Sequence, residues 1–177
     1  SLQDADGNNV FDNGGEQGTD TMRHAVAGLI RTMQENALVF APHENSFRRI
    51  LPGAHAPSSV AWGYENRTVA VRIPGGSPKA RRIEHRVAGA DANPYLVLAS
   101  ILGGALLGIE GKWEPPPPIT GDAYSQNIET LPPDWASAIE AFSRGPHVTQ
   151  IYARRLQRMF VQCKLQELRR FTRHVTE

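Results

Sequence analysis

Residues 79–96 read KARRIEHRVAGADANPYL, and they join a charged strand pattern to the start of a helix. The first eight residues set a single carboxylate, that of Glu84, among five cations or potential cations. These are Lys79, Arg81, Arg82, His85 and Arg86. Apolar Ile83 and Val87 alternate with the charges, so the pattern predicts a strand over residues 81–87 and not a loose basic tail.

The alternation of side chains along a strand places Arg82, Glu84 and Arg86 on one face. A carboxylate between two guanidinium groups stays ionised, because nearby positive charge favours the charged form. Ionised carboxylate oxygen suits Mg²⁺ or Mn²⁺, and the planar fork of arginine suits phosphate oxygens. Spacing alone favours a simpler alternative, an arginine–glutamate ladder on a solvated sheet face, and leaves the anion and metal site as a possibility.

Upstream, residues 68–73 alternate and are rich in β-branched side chains, which predicts another strand. Pro74, Gly75 and Gly76 end it, and the short connection predicts an antiparallel pair with the charged strand. This strand contributes Arg72, and Arg67 lies at its entry. Because these two arginines have opposite parity, only a bend at the entry would point both toward one site.

Apolar periodicity predicts four helices. They are expected from Asp20, as N-cap, to about Leu38, from Asn93 and Pro94 to about Ile109, over residues 134–142, and from about Pro146 to Arg173. The second helix is apolar on every side, so we expect it to be enclosed by other elements. The fourth is expected to turn an apolar stripe inward and a basic face outward. The inward residues are Val148, Ile151, Tyr152, Leu156, Met159, Phe160, Cys163 and Leu168, and the outward ones are Arg154, Arg155, Arg158, Lys164, Arg169 and Arg170.

The remaining segments are expected to be irregular. Residues 1–18 are rich in turn formers and predict a short hairpin or loop, residues 41–65 are punctuated by prolines, and residues 115–118 form a stiff proline linker. The elements together predict an α+β protein.

Composition excludes several classes of protein. The 177 residues carry a net charge of +1, so no global field points to nucleic acid. The single cysteine, Cys163, excludes an internal disulfide, favours a reducing compartment such as the cytoplasm, and is expected to be a small buried side chain. The most apolar run, residues 95–109, is shorter than the ~20 residues of a membrane span and contains three glycines.

Four segments in this order resemble the glutamine synthetase superfamily. They are NSFRRILPG at 45–53, ENRTVAVRIP at 65–74, SPKARRIEHR at 77–86 and ANPYL at 92–96. The variants GAHAP, ENRTVAVRIPGG and EHRVAGADANPYL are most similar to the γ-glutamylpolyamine synthetase branch. The resemblance covers most of residues 1–110 and weakens after Gly111.

The resemblance implies a fold and a reaction. The fold is the C-terminal half of a glutamine-synthetase-like catalytic domain, with antiparallel barrel strands covered by helices, so residues 1–177 are expected to be part of a longer protein. The reaction is an ATP-dependent ligation of the γ-carboxylate of glutamate to an amine through γ-glutamyl phosphate, with Mg²⁺ or Mn²⁺. The family builds its sites between subunits of stacked rings, so a homo-oligomer is implied, and the isolated chain is expected to be inactive.

The same resemblance implies roles for residues that match the motifs of the family. Glu84 is similar to a metal ligand, Arg49 and Arg86 to arginines that hold the glutamate substrate, and Arg67 and Arg72 to arginines that contact phosphate. Lys79, Arg82 and Ser1 fall on the nucleotide side.

One residue departs from the pattern. His55 stands at the flap position where glutamine synthetases usually carry a glutamate that receives a proton from ammonium. A neutral imidazole can act as a base near pH 7, but it attracts ammonium less well than a carboxylate does. The departure favours a larger amine as acceptor, while a loop histidine without a catalytic role stays an equal alternative.

Three functions therefore remain open from the sequence. The first is a glutamate–amine ligase, with ammonia as the alternative acceptor, and the second is a catalytically silent homologue. The third is a nucleic-acid-binding module that uses the basic C-terminal helix. Because that helix has an apolar stripe and no aromatic platform, subunit packing or a solvated face is favoured over nucleic acid.

Overall fold

The computed structural model describes residues 1–50 and 56–173. It contains seven α-helices and three strands in these two ranges. The helices are α1 (Asp20–Thr32), α2 (Ala37–Phe40), α3 (Glu44–Phe47), α4 (Pro94–Glu110), α5 (Trp135–Arg144), α6 (Val148–Ile151) and α7 (Arg154–Thr172). The strands are β1 (Trp62–Tyr64), β2 (Val71–Ile73) and β3 (Glu84–His85), and short 3₁₀ turns cover Pro78–Ala80 and Ala123–Ser125.

The three strands form a small mixed sheet in the order β1-β2-β3. β2 and β3 are antiparallel, as the sequence predicts, with Arg72 opposite Glu84. β1 lies parallel to β2, within the segment that was expected to be irregular. The α+β class is confirmed, but the sheet of the described residues is open, so it does not confirm a barrel.

Both predicted strands are shorter than their sequence patterns. Only Val71–Ile73 and Glu84–His85 are paired as strands. Their inward side chains nevertheless follow the predicted alternation, since Val71, Ile73 and Val87 are buried in the core. The side chain of His85 packs on this inner side against Phe40, with ring centroids 4.5 Å apart.

The N-terminal helix begins and ends earlier than predicted. Its N-cap is Thr19, whose hydroxyl accepts from the backbone N–H of Met22, and not Asp20. The helix ends at Thr32 and α2 follows after a turn. In that turn the side chain of Asn36 donates to the carbonyl of Thr32, a local bond that competes with helix continuation.

α4 packs against α1 through glycines, which allow the two backbones to come unusually close. A Cβ atom added at Gly28 would lie 2.0 Å from the carbonyl oxygen of Gly104 and 2.9 Å from Cα of Gly108. The prediction that Asn93 caps α4 is confirmed, because its side chain accepts from the N–H groups of Tyr95 and Leu96.

A buried polar network holds α4 to the chain around it. The Ser100 hydroxyl donates to the side-chain oxygen of Asn36 at 2.9 Å and lies 2.7 Å from the Tyr152 hydroxyl, which donates to the carbonyl of Leu96. Every hydroxyl of this network has a partner, as burial requires. Burial also raises the pKa of Tyr152.

We expected other elements to enclose α4, but the described elements leave one of its faces uncovered. Tyr95, Leu98, Leu102 and Leu106 are each more than half exposed, and their spacing places them on one face of the helix. None of the helices in the two described ranges is long and apolar enough to cross a membrane.

The C-terminal helix is interrupted, and its inward face differs from the prediction. α6 ends at Ile151 and α7 begins at Arg154. Leu156, Met159 and Cys163 are exposed instead of inward. The buried positions of α7 are Gln157, Val161 and Lys164. Gln157 donates to the carbonyls of Phe142 and Ser143 at the end of α5, and the Lys164 ammonium pairs with Glu167 at 2.8 Å.

We expect Gly28→Ala to destabilise the protein by about 2 kcal/mol, because the added methyl group meets backbone atoms that cannot move without separating α1 from α4. Thermal unfolding should show a melting temperature lower by about 4–8 °C. Gly15→Ala is the control, since the atoms nearest to its added methyl all belong to the side chain of Asn13. Equal melting temperatures for the two variants would contradict this account of the helix crossing.

Burial lowers the pKa of His85 to about 4, and its Nδ1 finds no hydrogen-bond partner among the residues that the structure describes. The unfolded chain, in which the pKa of histidine is ≈6.5, therefore binds more protons than the folded one between pH 4 and 6.5. The free energy of unfolding therefore rises with pH through this window, and it falls by about 2 kcal/mol when the pH is lowered from 7 to 5.

His85→Gln should therefore lose less stability than the unchanged protein on going from pH 7 to pH 5, as measured by denaturant unfolding at both pH values. His43→Gln is the matched control, because the side chain of His43 is half exposed. A pH dependence that is the same in both variants would show that His85 is not the titrating group.

Candidate active site

The pairing of β2 with β3 brings the charged side chains of the two strands together. Arg72 lies directly opposite Glu84, and the backbone N–H of Arg86 donates to the carbonyl of Ala70. Because the inner faces of these strands pack into the core, the charged side chains lie on the outer face. The sheet register therefore sets which arginines can reach Glu84.

Glu84 lies between two arginines, and each of its oxygens contacts a different one. Its Oε2 is 3.2 Å from Nη1 of Arg72, and its Oε1 is 3.1 Å from Nε of Arg86. The side chains are 15 % exposed for Arg72, 22 % for Arg86 and 36 % for Glu84. The pairs are therefore partly shielded from water, where ion pairs are stronger than on an open surface.

Two further arginines border this ladder through backbone carbonyls. The Arg86 guanidinium also donates to the carbonyl of Arg67 and, at 3.4 Å, to that of Val69. The Arg49 guanidinium donates to the carbonyl of Val87, just beyond β3. The structure thus brings Arg49, Arg67, Arg72 and Arg86 close to the strand that carries Glu84.

Lys79 and Arg82 lie at the other end of this segment, and both are exposed. Arg82 shares strand parity with Glu84, but its Nη1 donates to the carbonyl of Ala80 at 3.3 Å. Within the described residues, the ion pairs of Glu84 are with Arg72 and Arg86 and not with Arg82. The predicted triple of Arg82, Glu84 and Arg86 is therefore only partly assembled in this structure.

The N-terminal segment is attached to the same end. Gln3 and Asn9 form an antiparallel bridge, as the hairpin prediction implied. The Asn9 side chain donates to the carbonyls of Lys79, at 3.2 Å, and Arg81, at 2.9 Å. Ser1 lies exposed at the start of this hairpin. Sequence patterns gave no sign that Asn9 makes this link, because the two segments are far apart in the chain.

Glu65 is a second residue that the sequence analysis missed. Its Oε1 lies 3.2 Å from Nη2 of Arg72, so Arg72 pairs with two carboxylates at once. Glu65 directly precedes the Asn66-Arg67 pair and has a positive φ of 51°, which is rare for a residue with a side chain. The signal in the sequence was its position as the first residue of the family motif ENRTVAVRIP.

An open cavity of about 670 Å³ borders Glu65. Its walls include Tyr64, Ile73 and Pro118, and Arg81 reaches it from the inner face of the sheet. The Arg81 guanidinium donates to the carbonyls of Gly15 and Glu16. Arg81 therefore fastens the N-terminal segment to the sheet.

Divalent metal ions need more oxygen ligands than this part of the chain provides. No group of three or more His, Cys, Asp and Glu residues is arranged to hold a metal in residues 1–50 and 56–173. The Glu84 carboxylate has the right chemistry for one ligand, but both of its oxygens contact arginine. The described residues alone do not form a metal site. His55, which the family resemblance placed in the flap, lies outside the described residues.

Comparison with known proteins shows the class to which the chain belongs. All of residues 1–177 match the family model described as glutamine synthetase, catalytic domain. The chain belongs to the glutamine synthetase family.

Individual relatives include enzymes that use different amines. The chain is 36 % identical over 177 residues to gamma-glutamylputrescine synthetase PuuA of Escherichia coli K12, and it is 41 % identical over 145 residues to gamma-glutamylethanolamide synthetase GlnA4 of Streptomyces coelicolor. These alignments cover 100 % and 82 % of this chain, but 38 % and 31 % of the relatives. The chain thus spans well under half of either protein.

Solved structures confirm the mixed fold. The structure of GmaS without ligand superposes with a TM-score of 0.84 at 31 % identity, and covers 98 % of this chain and 40 % of GmaS. A GmaS complex with ADP gives the same TM-score at 30 % identity.

Proposed function

We propose that this chain is part of an ATP-dependent ligase that joins the γ-carboxylate of glutamate to an amine. The observation that carries the proposal is the ladder in which Glu84 holds Arg72 and Arg86, in a chain that belongs to the glutamine synthetase family. Enzymes of this family act on glutamate and an amine and use ATP with divalent metals.

The reaction has two steps. An oxygen of the glutamate γ-carboxylate attacks the terminal phosphorus of ATP, so that a C–O–P bond forms and ADP leaves. The amine nitrogen then attacks the carbonyl carbon of the γ-glutamyl phosphate, the C–O bond from that carbon to phosphate breaks, and the nitrogen loses a proton. Both steps develop negative charge on oxygens, which fixed cations stabilise without reorganising.

In this proposal the arginines divide the two anionic substrates between them. Arg67 and Arg72 contact the transferred phosphate, and Arg67 is the catalytic one of the pair. Ser1, Lys79 and Arg82 bind the nucleotide at the end where the hairpin meets the sheet. Arg49 and Arg86 bind the carboxylates of glutamate. The related GmaS forms a complex with ADP, which supports a nucleotide as one of the substrates.

Glu84 would contribute one ligand to a Mg²⁺ or Mn²⁺ ion, and residues outside 1–50 and 56–173 would have to supply the others. The ion would neutralise phosphate charge when bound. Until then the two arginines keep the carboxylate of Glu84 paired and in place.

We infer that the acceptor is an alkylamine or polyamine. The support is the likeness to PuuA and GlnA4, and to a glutamate–isopropylamine ligase from a Pseudomonas that is 34 % identical over 174 residues. In the proposal His55 acts as the base that accepts the proton of the amine. Ammonia remains the alternative acceptor, because a glutamine synthetase of Thermococcus kodakarensis is 36 % identical over 154 residues.

We also propose that residues 1–177 are the C-terminal part of a longer catalytic domain that assembles as stacked rings. The length of the relatives supports this, and so does the exposed apolar face of α4, formed by Tyr95, Leu98, Leu102 and Leu106. Contiguous exposed apolar surface of this kind is typical of a face that another part of the protein covers.

The decisive experiment measures ADP release by the full-length protein with ATP, glutamate and Mg²⁺. Putrescine, longer polyamines, methylamine, ethanolamine and ammonium are supplied in parallel. We expect ADP release to depend on glutamate and to rise at least tenfold with an alkylamine or polyamine over ammonium at equal concentration. Mass spectrometry should detect the matching γ-glutamyl amide.

Two outcomes would contradict the proposal. ADP release that is independent of every amine would exclude the ligase and favour a silent homologue. If ammonium stimulated ADP release more than the other amines, the acceptor would be ammonia and not an alkylamine or polyamine. The isolated chain of residues 1–177 should release no ADP under the same conditions, since residues 1–50 and 56–173 form no complete metal site. Turnover by this chain would overturn the part of the proposal that makes it a fragment.

A further inference from the structure

We propose that Glu65 is a positioning residue for Arg72, and that its carboxylate keeps the Arg72 guanidinium aimed at the transferred phosphate. The inference rests on the proposed function, because it deepens the role that Arg72 has there. Glu65 itself would touch neither substrate.

The first support is that Arg72 is held at both ends of its guanidinium. Nη1 contacts Glu84 and Nη2 contacts Glu65, each at 3.2 Å. Two carboxylates on different nitrogens prevent the planar group from turning about its last torsion without breaking an ion pair. Nε of Arg72 is buried and has no partner in the part of the chain that the structure describes. Within the described residues, the two ion pairs therefore hold the guanidinium of Arg72 in place.

The second support is the backbone around Glu65, which places its carboxylate. The N–H of Glu65 donates to the carbonyl of Ile73 at 2.9 Å, just past the pairing of β1 with β2. Its φ of 51° is a conformation that costs ~1 kcal/mol or more for a residue with a side chain. A glutamate that only faced solvent would need neither this hydrogen bond nor a positive φ.

The third support is Gly75, which receives the carboxylate. The backbone N–H of Gly75 donates to Oε1 of Glu65. A Cβ atom on residue 75 would lie 2.9 Å from Cδ of Glu65, so a larger residue would push the carboxylate out of place. The hydrogen bond from Gly75 and the charge of Arg72 lower the pKa of Glu65, although its side chain is 61 % exposed. The carboxylate thus stays charged and fixed at neutral pH.

A second anchor matters because Glu84 has competing partners. Glu84 already divides its oxygens between Arg72 and Arg86, and in the proposed function it is also drawn toward a cation. Without Glu65, Arg72 would be free to adopt other rotamers whenever its ion pair with Glu84 broke. Ordering such a side chain again when substrate binds costs roughly 0.5–1.5 kcal/mol, which corresponds to about a 2- to 12-fold loss of affinity.

The test uses Glu65→Gln in the full-length protein. The amide keeps the size of the side chain and an oxygen for the N–H of Gly75, but it removes the charge that holds Arg72. We expect kcat/KM for ATP to fall about five- to tenfold, while KM for glutamate changes by less than twofold. ADP affinity, measured by calorimetry, should fall by a similar factor. Glu110→Gln is the matched control, because Glu110 is exposed at the end of α4 and should leave all of these values unchanged.

A double-mutant cycle separates positioning from a general structural effect. If Glu65 acts through Arg72, adding Glu65→Gln to Arg72→Lys should cause less than a twofold further loss. Full additivity of the two changes would overturn the proposal. So would an equal loss for ATP and glutamate together with a lower melting temperature, because that would indicate a structural role.

The outcomes also separate this inference from the proposed function. If the unchanged protein releases ADP and Glu65→Gln matches it within twofold, positioning is wrong and the function stands. If the unchanged protein binds ADP but does not release ADP from ATP, the proposed ligase function is wrong. The ADP affinities of Glu65→Gln and its control, measured by calorimetry, then decide whether Glu65 positions Arg72. Absence of both turnover and ADP binding would overturn the two proposals together.

Discussion

The ionised carboxylate of Glu84, held between the guanidinium groups of Arg72 and Arg86, is the interaction on which the proposed site depends. Arginines concentrated on one sheet face repel one another unless an anion separates them. Glu84 supplies that anion from the centre of the ladder, with one oxygen for each arginine. Glu65 adds a second anion at the outer end of Arg72, so the four side chains alternate in sign. The alternation lets cations be kept close together before any anionic substrate arrives.

The rest of the fold keeps this ladder in register. A one-residue slip of either strand would turn its side chains to the opposite face of the sheet, so that a slip of β2 would expose Val71 and bury Arg72, and a slip of β3 would expose Val87 and bury Glu84. The core behind the sheet makes such a slip costly, because these two valines are at most 1 % exposed. The glycine-mediated contact between α1 and α4 and the buried network of Ser100 fix the helices that form this core. Site geometry therefore depends on packing that is remote from the charges.

The sequence predicted well those features that local chemistry determines. The antiparallel pairing of β2 and β3, the cap of Asn93 on α4 and the family itself followed from short patterns. The errors lie where distant segments decide the structure. β1 pairs in parallel with β2 across an irregular segment, which no local pattern announces. The last helix breaks between Ile151 and Arg154, and its inward face includes Gln157, which donates to the carbonyl of Phe142 in another helix.

The candidate site residues also divide into those that short sequence patterns indicated and those that depend on tertiary structure. The resemblance named Arg49, Arg67, Arg72 and Arg86, and the structure places all four near the strand of Glu84. Glu65 was missed because its importance comes from a positive φ and from Gly75, ten residues away, which are features of tertiary structure. The contact of Arg82 with Ala80 instead of Glu84 was likewise not foreseen. Arg82 lies between the 3₁₀ turn, which ends at Ala80, and β3, which begins at Glu84, so strand alternation does not govern its side chain.

The most direct test of the central claim is the rate of ADP release by Glu84→Gln in the full-length protein, compared with the unchanged protein at saturating substrates. The amide preserves the shape of the side chain and removes its charge, so the account predicts a loss of at least about 100-fold with a melting temperature within a few degrees. A folded Glu84→Gln protein that keeps its rate to within threefold would show that the negative charge of Glu84 does not organise the site.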